Sequence, residues 1–80
     1  MKYVYLIQSL SHPGKHYIGS TTNLEDRLLA HNAGTSPHTS KYRPWELVMH
    51  LCFQNERRAI EFERYLKSGS GYAFAKKRFW

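Results

Sequence analysis

Apolar positions along this chain switch between a period of two and a period near 3.6, and the switches mark its elements. From Lys2 to Gln8, Tyr3, Tyr5 and Ile7 alternate with Val4 and Leu6, which predicts a strand. Both of its faces are apolar, as expected for a central or well-covered strand. Ser9 to Lys15 carries a Pro13-Gly14 turn, and His16 to Gly19 resumes the alternation, so the two runs read as a β-hairpin. Gly19 permits a bend or a close approach that a side chain would block.

The period then lengthens. Leu24, Leu28 and His31 form a helical stripe bordered by Arg27. Thr22 is the expected N-cap, with Glu25 completing a capping box. Asn32-Ala33-Gly34 supplies the stop. Arg27 and His31 lie four apart, hence on one helix edge. Gly34 to Pro44 reads as a loop longer than an ordinary connection, rich in Ser, Thr, Pro and His, which suits a binding or gating role. Trp45, Leu47, Met49, Leu51 and Phe53 predict a third strand with one apolar face. Asn55 caps a second helix running to about Ser68, and Ser68 to Gly71 breaks it. Tyr72 to Phe79 makes a last short helical piece.

One residue breaks the second helix's pattern. Glu63 sits within the stripe of Ala59, Ile60 and Leu66, where an apolar side chain belongs. It is either a boundary residue reaching water or an arginine, or an acid aimed into a cleft to hold a cation.

Composition narrows the partner. Eighty residues make one domain with one shared core. Twelve Lys and Arg against six Asp and Glu give a formal +6, which favours a polyanion, nucleic acid foremost. The single cysteine, Cys52, excludes an internal disulfide and a multi-cysteine zinc site. It reads as a small buried hydrophobe in a reduced, cytoplasmic setting. No apolar run is long enough for a bilayer, so no membrane partner is expected, and the start lacks a signal-peptide pattern.

The ordered set Tyr3-Val4-Tyr5, Tyr17-Ile18-Gly19-Ser20-Thr21, Asn23-Leu24, Arg27, His31-Asn32-Ala33-Gly34, Ala59, Glu63 and Tyr65-Leu66-Lys67 resembles the GIY-YIG endonuclease family. The ending from Leu66 through Lys76-Lys77-Arg78 is similar to its small single-domain bacterial members. Tyr3 replaces the glycine of the family's name, while Tyr5 is kept. The resemblance covers nearly the whole chain, residues 1–80. It implies an α+β fold, order β-β-α-β-α with a short C-terminal helix, built on a three-stranded antiparallel sheet flanked by helices.

The resemblance further implies metal-dependent hydrolysis of DNA phosphodiesters by an endonuclease or nickase, with branched or damaged DNA among the candidate substrates. Its catalytic positions fall on Tyr5, Tyr17, Arg27, His31 and Glu63, with Glu63 holding one Mg²⁺ (or Mn²⁺). The chemistry is compatible. One carboxylate with waters and phosphate oxygens suits Mg²⁺, and an arginine fork matches phosphate as lysine does not. Tyr17 is the expected general base, a role for which a phenol needs cationic neighbours. Tyr5 would orient water or phosphate, and His31 would bond a tyrosine or the phosphate. Lys41, Arg43, Lys67, Lys76, Lys77 and Arg78 are the expected nucleic-acid contacts. Two other readings stand beside this one. The first is a non-catalytic nucleic-acid-binding or adaptor module. The second is a protein–protein module, a weak homodimer or part of a larger complex, with Trp45, Tyr72, Phe79 and Trp80 at its interface.

Overall fold

The strand β1 (Lys2–Ser9) lies between β2 (His16–Thr21) and β3 (Trp45–Phe53) and pairs antiparallel with both. That central place explains its unbroken apolar run, since Val4 to Ile7 are buried on both faces. In the computed structural model, which describes residues 1–80, the helices are α1 (Leu24–Ala33), α2 (Glu56–Leu66) and α3 (Gly69–Arg78). A 3₁₀ turn, Ser40–Tyr42, interrupts the loop after α1. The architecture is the α+β arrangement expected from the sequence.

The period-two alternation divides the core into two layers. Val4, Leu6 and Ile18 face α2 and α3, packing with Ala59, Leu66 and Ala75. Tyr5 and Ile7 face the other way, packing with Trp45, Tyr17, Leu24, Leu28 and Leu47. No helix is long and apolar enough to cross a membrane.

Several local expectations change. Asn23, not Thr22, caps α1, its side chain accepting from Asp26 N–H at 3.1 Å. Thr21 Oγ1 holds the Asn23 N–H at 3.1 Å, which moves the cap one residue along. Asn55 caps α2 as expected. The third helix starts at Gly69 because Ser68 accepts from Gly71 N–H, so the Ser-Gly tract begins a helix as well as ending one. Cys52 is exposed.

The apolar face of β3 is also split. Leu6 pairs with Met49 but Ile7 pairs with Leu47, leaving Val48 as the extra residue of a bulge. One added residue reverses the facing of everything beyond it. Trp45 and Leu47 therefore join the α1 layer, while Met49 and Phe53 join the α2 layer.

Of the aromatics considered for an interface, Trp45 is buried and Trp80 stacks on His16 of its own domain, ring centroids 4.1 Å apart. Both are engaged within the fold.

Candidate active site

The candidate residues gather around β2, an edge strand. Tyr5 lies opposite Gly19 in the hairpin register, and Tyr17 opposite Ile7. The close approach anticipated for Gly19 is occupied by Tyr5. A Cβ on Gly19 would lie 2.5 Å from the Tyr5 hydroxyl oxygen and 3.1 Å from the Tyr17 ring. The absent side chain is the room that Tyr5 uses.

Tyr5, Tyr17 and His31 form a three-ring cluster. Centroid distances are 6.5 Å between the tyrosines, 5.7 Å from Tyr5 to His31 and 5.1 Å from Tyr17 to His31. The Tyr5 hydroxyl and His31 Nε2 are 2.7 Å apart, and His31 Nδ1 lies 2.6 Å from Thr39 Oγ1. Burial pushes the His31 imidazole down to about 4, with the Arg27 charge adding to the effect. His31 is therefore a neutral core histidine near neutral pH. Burial likewise raises the Tyr5 phenol, against the opposing influence of Arg27.

Arg27, half-buried on the edge of α1, lies against both tyrosines. The Tyr5 hydroxyl is the chief influence holding its guanidinium above the ordinary value. The helix stops correctly for this purpose. Gly34 adopts φ 82°, the left-handed cap, and Arg43 Nη1 donates to Ala33 C=O at 3.1 Å.

Glu63 reaches the same strand from the opposite side of the sheet. Its Oε1 accepts from Ser20 Oγ at 2.6 Å and its Oε2 from Lys67 Nζ at 2.8 Å. Burial raises the carboxyl, but the Lys67 and Ser20 hydrogen bonds outweigh it and hold Glu63 below the usual carboxylate range. Lys67 Nζ also stands 5.9 Å from the Tyr17 ring centroid, linking the acid to the tyrosine cluster.

Glu63, Lys67, Arg64 and Ile60 line an open depression of about 250 Å³. A larger one, about 530 Å³, lies between α1 and β3 beside Tyr3, Leu28 and His50. It contains none of Tyr5, Tyr17, Arg27, His31 and Glu63. The smaller depression holds Glu63 but none of Tyr5, Tyr17, Arg27 and His31, so the candidate residues meet at β2 without sharing one cavity. No three His, Cys, Asp or Glu side chains group to cage a metal. Glu63 alone, ionised and open to water, fits a Mg²⁺-type ion held largely by water and phosphate oxygens.

The basic residues separate. Lys67 is within the site. Lys76, Lys77 and Arg78 are exposed on the last turn of α3. Lys76 is close enough to His16, at the start of β2, to add to the burial that lowers the His16 pKa. Lys41 is exposed on the 3₁₀ turn, and Arg43 is engaged at the α1 terminus. Roles for Ser20 and Thr39 were not anticipated. The Lys67 pairing was legible as an i,i+4 Glu–Lys spacing, whereas nothing in the loop's sequence singles out Thr39.

A family model described as the GIY-YIG catalytic domain matches residues 1–77. The structure-specific endonuclease subunit SLX1 of Debaryomyces hansenii is 38% identical over 71 residues, covering 80% of this chain and 20% of that protein. The UPF0213 protein of Bacillus pumilus is 36% identical over 67 residues, covering 82% of this chain and 66% of the relative. A UPF0213 protein of Clostridium perfringens is 38% identical over 68 residues, covering 84% and 71%. The match thus spans a fifth of the SLX1 protein's length and about two thirds of the Bacillus protein's.

Proposed function

This chain belongs to the GIY-YIG family, and on that premise we propose that it is a metal-dependent endonuclease or nickase hydrolysing DNA phosphodiester bonds. The observation that carries the reading is that one edge strand, β2, bears both Tyr17, beside the Arg27 guanidinium, and Ser20, which hydrogen-bonds an ionised Glu63. The SLX1 relatives are named as structure-specific endonuclease subunits, which supports a substrate recognised by its structure, branched DNA being the form proposed here.

Residues 1–80 act as one nuclease domain. Glu63 is the ligand for one divalent ion, Mg²⁺ or Mn²⁺, which would supply positive charge against the charge building on the phosphate. Ser20 orients the carboxylate through its hydroxyl. Tyr17 Oη is the general base that takes the proton of the attacking water. Arg27 presents its fork to the non-bridging phosphate oxygens, where negative charge grows in the transition state. Tyr5 is buried and holds Arg27 and His31 in place rather than meeting solvent. Lys41, Lys67, Lys76, Lys77 and Arg78 contact the DNA backbone. The exposed thiol of Cys52 suits a reducing, cytoplasmic setting.

A non-catalytic DNA-binding module is the second reading. It is favoured by the engagement of both Glu63 oxygens by Ser20 and Lys67. Incubating the purified protein with branched, nicked and plain duplex DNA, with and without Mg²⁺ or Mn²⁺, separates the two. The nuclease cuts at least one substrate only with metal and loses that activity on Glu63→Gln. Binding without cutting, indifferent to chelator, establishes the module instead.

A further inference from the structure

We propose that Thr39, in the loop between α1 and β3, is a positioning residue that, together with the Tyr5 hydroxyl, fixes His31 as its Nδ1–H tautomer, with Nε2 the acceptor for the Tyr5 hydroxyl proton. The proposal deepens the nuclease reading, on which only its catalytic consequence rests.

The argument is a count of protons among buried groups. Tyr5, His31 and Thr39 are 2%, 0% and 0% exposed, so their polar atoms must satisfy one another. The chain runs from the Tyr5 hydroxyl to His31 Nε2 at 2.7 Å and from His31 Nδ1 to Thr39 Oγ1 at 2.6 Å. From Thr39 Oγ1 it continues to Ser36 C=O at 3.5 Å. A neutral imidazole carries one N–H, so only two patterns exist.

With the proton on Nδ1, every group has a partner. His31 Nδ1–H donates to Thr39 Oγ1, and the Thr39 hydroxyl donates onward to Ser36 C=O. The Tyr5 hydroxyl donates to the bare Nε2, leaving its oxygen lone pairs facing Arg27. With the proton on Nε2, His31 donates to the Tyr5 oxygen, and the Tyr5 proton must then find another acceptor. Its surroundings offer none. His31 Nε2 is the one acceptor within hydrogen-bond distance of it, Arg27 beside it is a donor, and Gly19 packs close against the hydroxyl. The second pattern strands a buried hydroxyl proton.

The Tyr5 proton selects this pattern, and Thr39 can hold the resulting Nδ1–H because its own place is fixed. Its N–H donates to Ser36 C=O at 3.2 Å. Its carbonyl accepts from Tyr42 N–H at 3.1 Å and from the Trp45 indole N–H at 2.8 Å. Trp45 is itself clamped to α1, its N–H donating to Asn32 Oδ1 at 2.6 Å and its C=O accepting from Asn32 Nδ2 at 3.1 Å. The loop is thereby tied to the helix that carries His31 and Arg27. In the nuclease, the fixed direction of the Tyr5 proton keeps the Tyr5 oxygen as an acceptor for Arg27, so Thr39 sets the aim of the phosphate-binding fork.

The test is a long-range ¹H–¹⁵N spectrum of histidine-labelled protein at neutral pH, read without substrate or metal. His31 should show a protonated-type Nδ1 and a bare Nε2. Thr39→Ser should keep that signature. Thr39→Val, isosteric but unable to bond, should lose it and shift the His31 resonances toward the other tautomer or an exchange average. A bare Nδ1 in the wild type overturns the proposal without any variant, and so does an unchanged tautomer in a folded Thr39→Val. DNA cleavage is measured in parallel. Absence of cleavage with the stated tautomer present rejects the nuclease and leaves the Thr39 assignment standing. If the wild type cuts DNA, Thr39→Val should lower kcat at least tenfold, with Thr39→Ser near wild type.

Discussion

Lys67 Nζ, at the C-cap of α2, donates to Glu63 Oε2 at 2.8 Å, one turn along from it, and so pairs with the carboxylate proposed to hold the divalent cation. Its ammonium is about half-exposed, so the pair is modest and displaceable. Replacing Lys67 with Met should tighten Mn²⁺ binding to the free protein by roughly two- to five-fold, the equivalent of an ion pair worth about 0.5–1 kcal/mol. Paramagnetic broadening of amide signals around Glu63 reads this directly. Weaker binding in the variant would show that Lys67 assists the ion instead.

Arg27 should divide binding from chemistry. Arg27→Lys keeps the charge but loses the planar fork. Cleavage should fall by roughly 10²–10³, as for loss of one transition-state donor, while duplex affinity changes little. An Arg27→Lys enzyme with wild-type rates would remove the fork from the proposed mechanism.

Gly19→Ala places a methyl 2.5 Å from the Tyr5 hydroxyl oxygen and 2.7 Å from the ring carbon bearing it. Tyr5 is buried and cannot swing aside. Overpacking of this kind costs about 1–3 kcal/mol, and the Tyr5–His31 bond should be lost with it. Urea unfolding gives the first quantity and the His31 nitrogen shifts the second. A fully stable Gly19→Ala would mean the hairpin can widen.

Stability should decline on acidification ahead of ordinary carboxylate titration. His31 in the unfolded chain gains its proton near 6.5, whereas burial and then Arg27 hold the folded value down to about 4. Between these values the unfolded state binds more protons, so stability falls as pH falls. The full loss, complete below the folded value of about 4, is on the order of 3 kcal/mol at about 1.36 kcal/mol per pKa unit. His16, lowered by burial and by Lys76, acts in the same direction. Glu63 adds a further loss as pH drops through its depressed folded value. Melting curves from about pH 7 to about pH 4 should therefore slope downward, and His31→Gln should flatten that slope. An equal slope in the variant would assign the effect elsewhere.

The α3 cluster has a signature in salt. Replacing Lys76, Lys77 and Arg78 with Gln should weaken DNA binding alike on all sequences and lower the log–log salt slope by up to about three. If the slope is unchanged, the cluster is a solvated face.

Chain order, element type and the central place of β1 were legible in the sequence because they rest on local periodicity. Val4 to Ile7 is apolar on both faces whatever surrounds it. Glu63 stood out for the same reason, as a carboxylate inside an apolar stripe, and the spaced motifs identified the family. Cap position was legible only to within a residue, since Thr22 and Asn23 are comparable caps and a side-chain bond from Thr21 chose between them.

What tertiary structure decided was facing and partnership. The bulge at Val48 depends on how β3 registers against β1, and it turned Trp45 toward α1. That turn gave Thr39 its anchor and, through Thr39, gave His31 a second partner. Ser20 became the carboxylate's hydrogen-bond donor only because α2 crosses the face of β2 that bears it. Periodicity along a chain reports which side a residue takes within its own element. Hydrogen bonds such as those among Tyr5, His31 and Thr39 join residues far apart in sequence, and no local pattern encodes them.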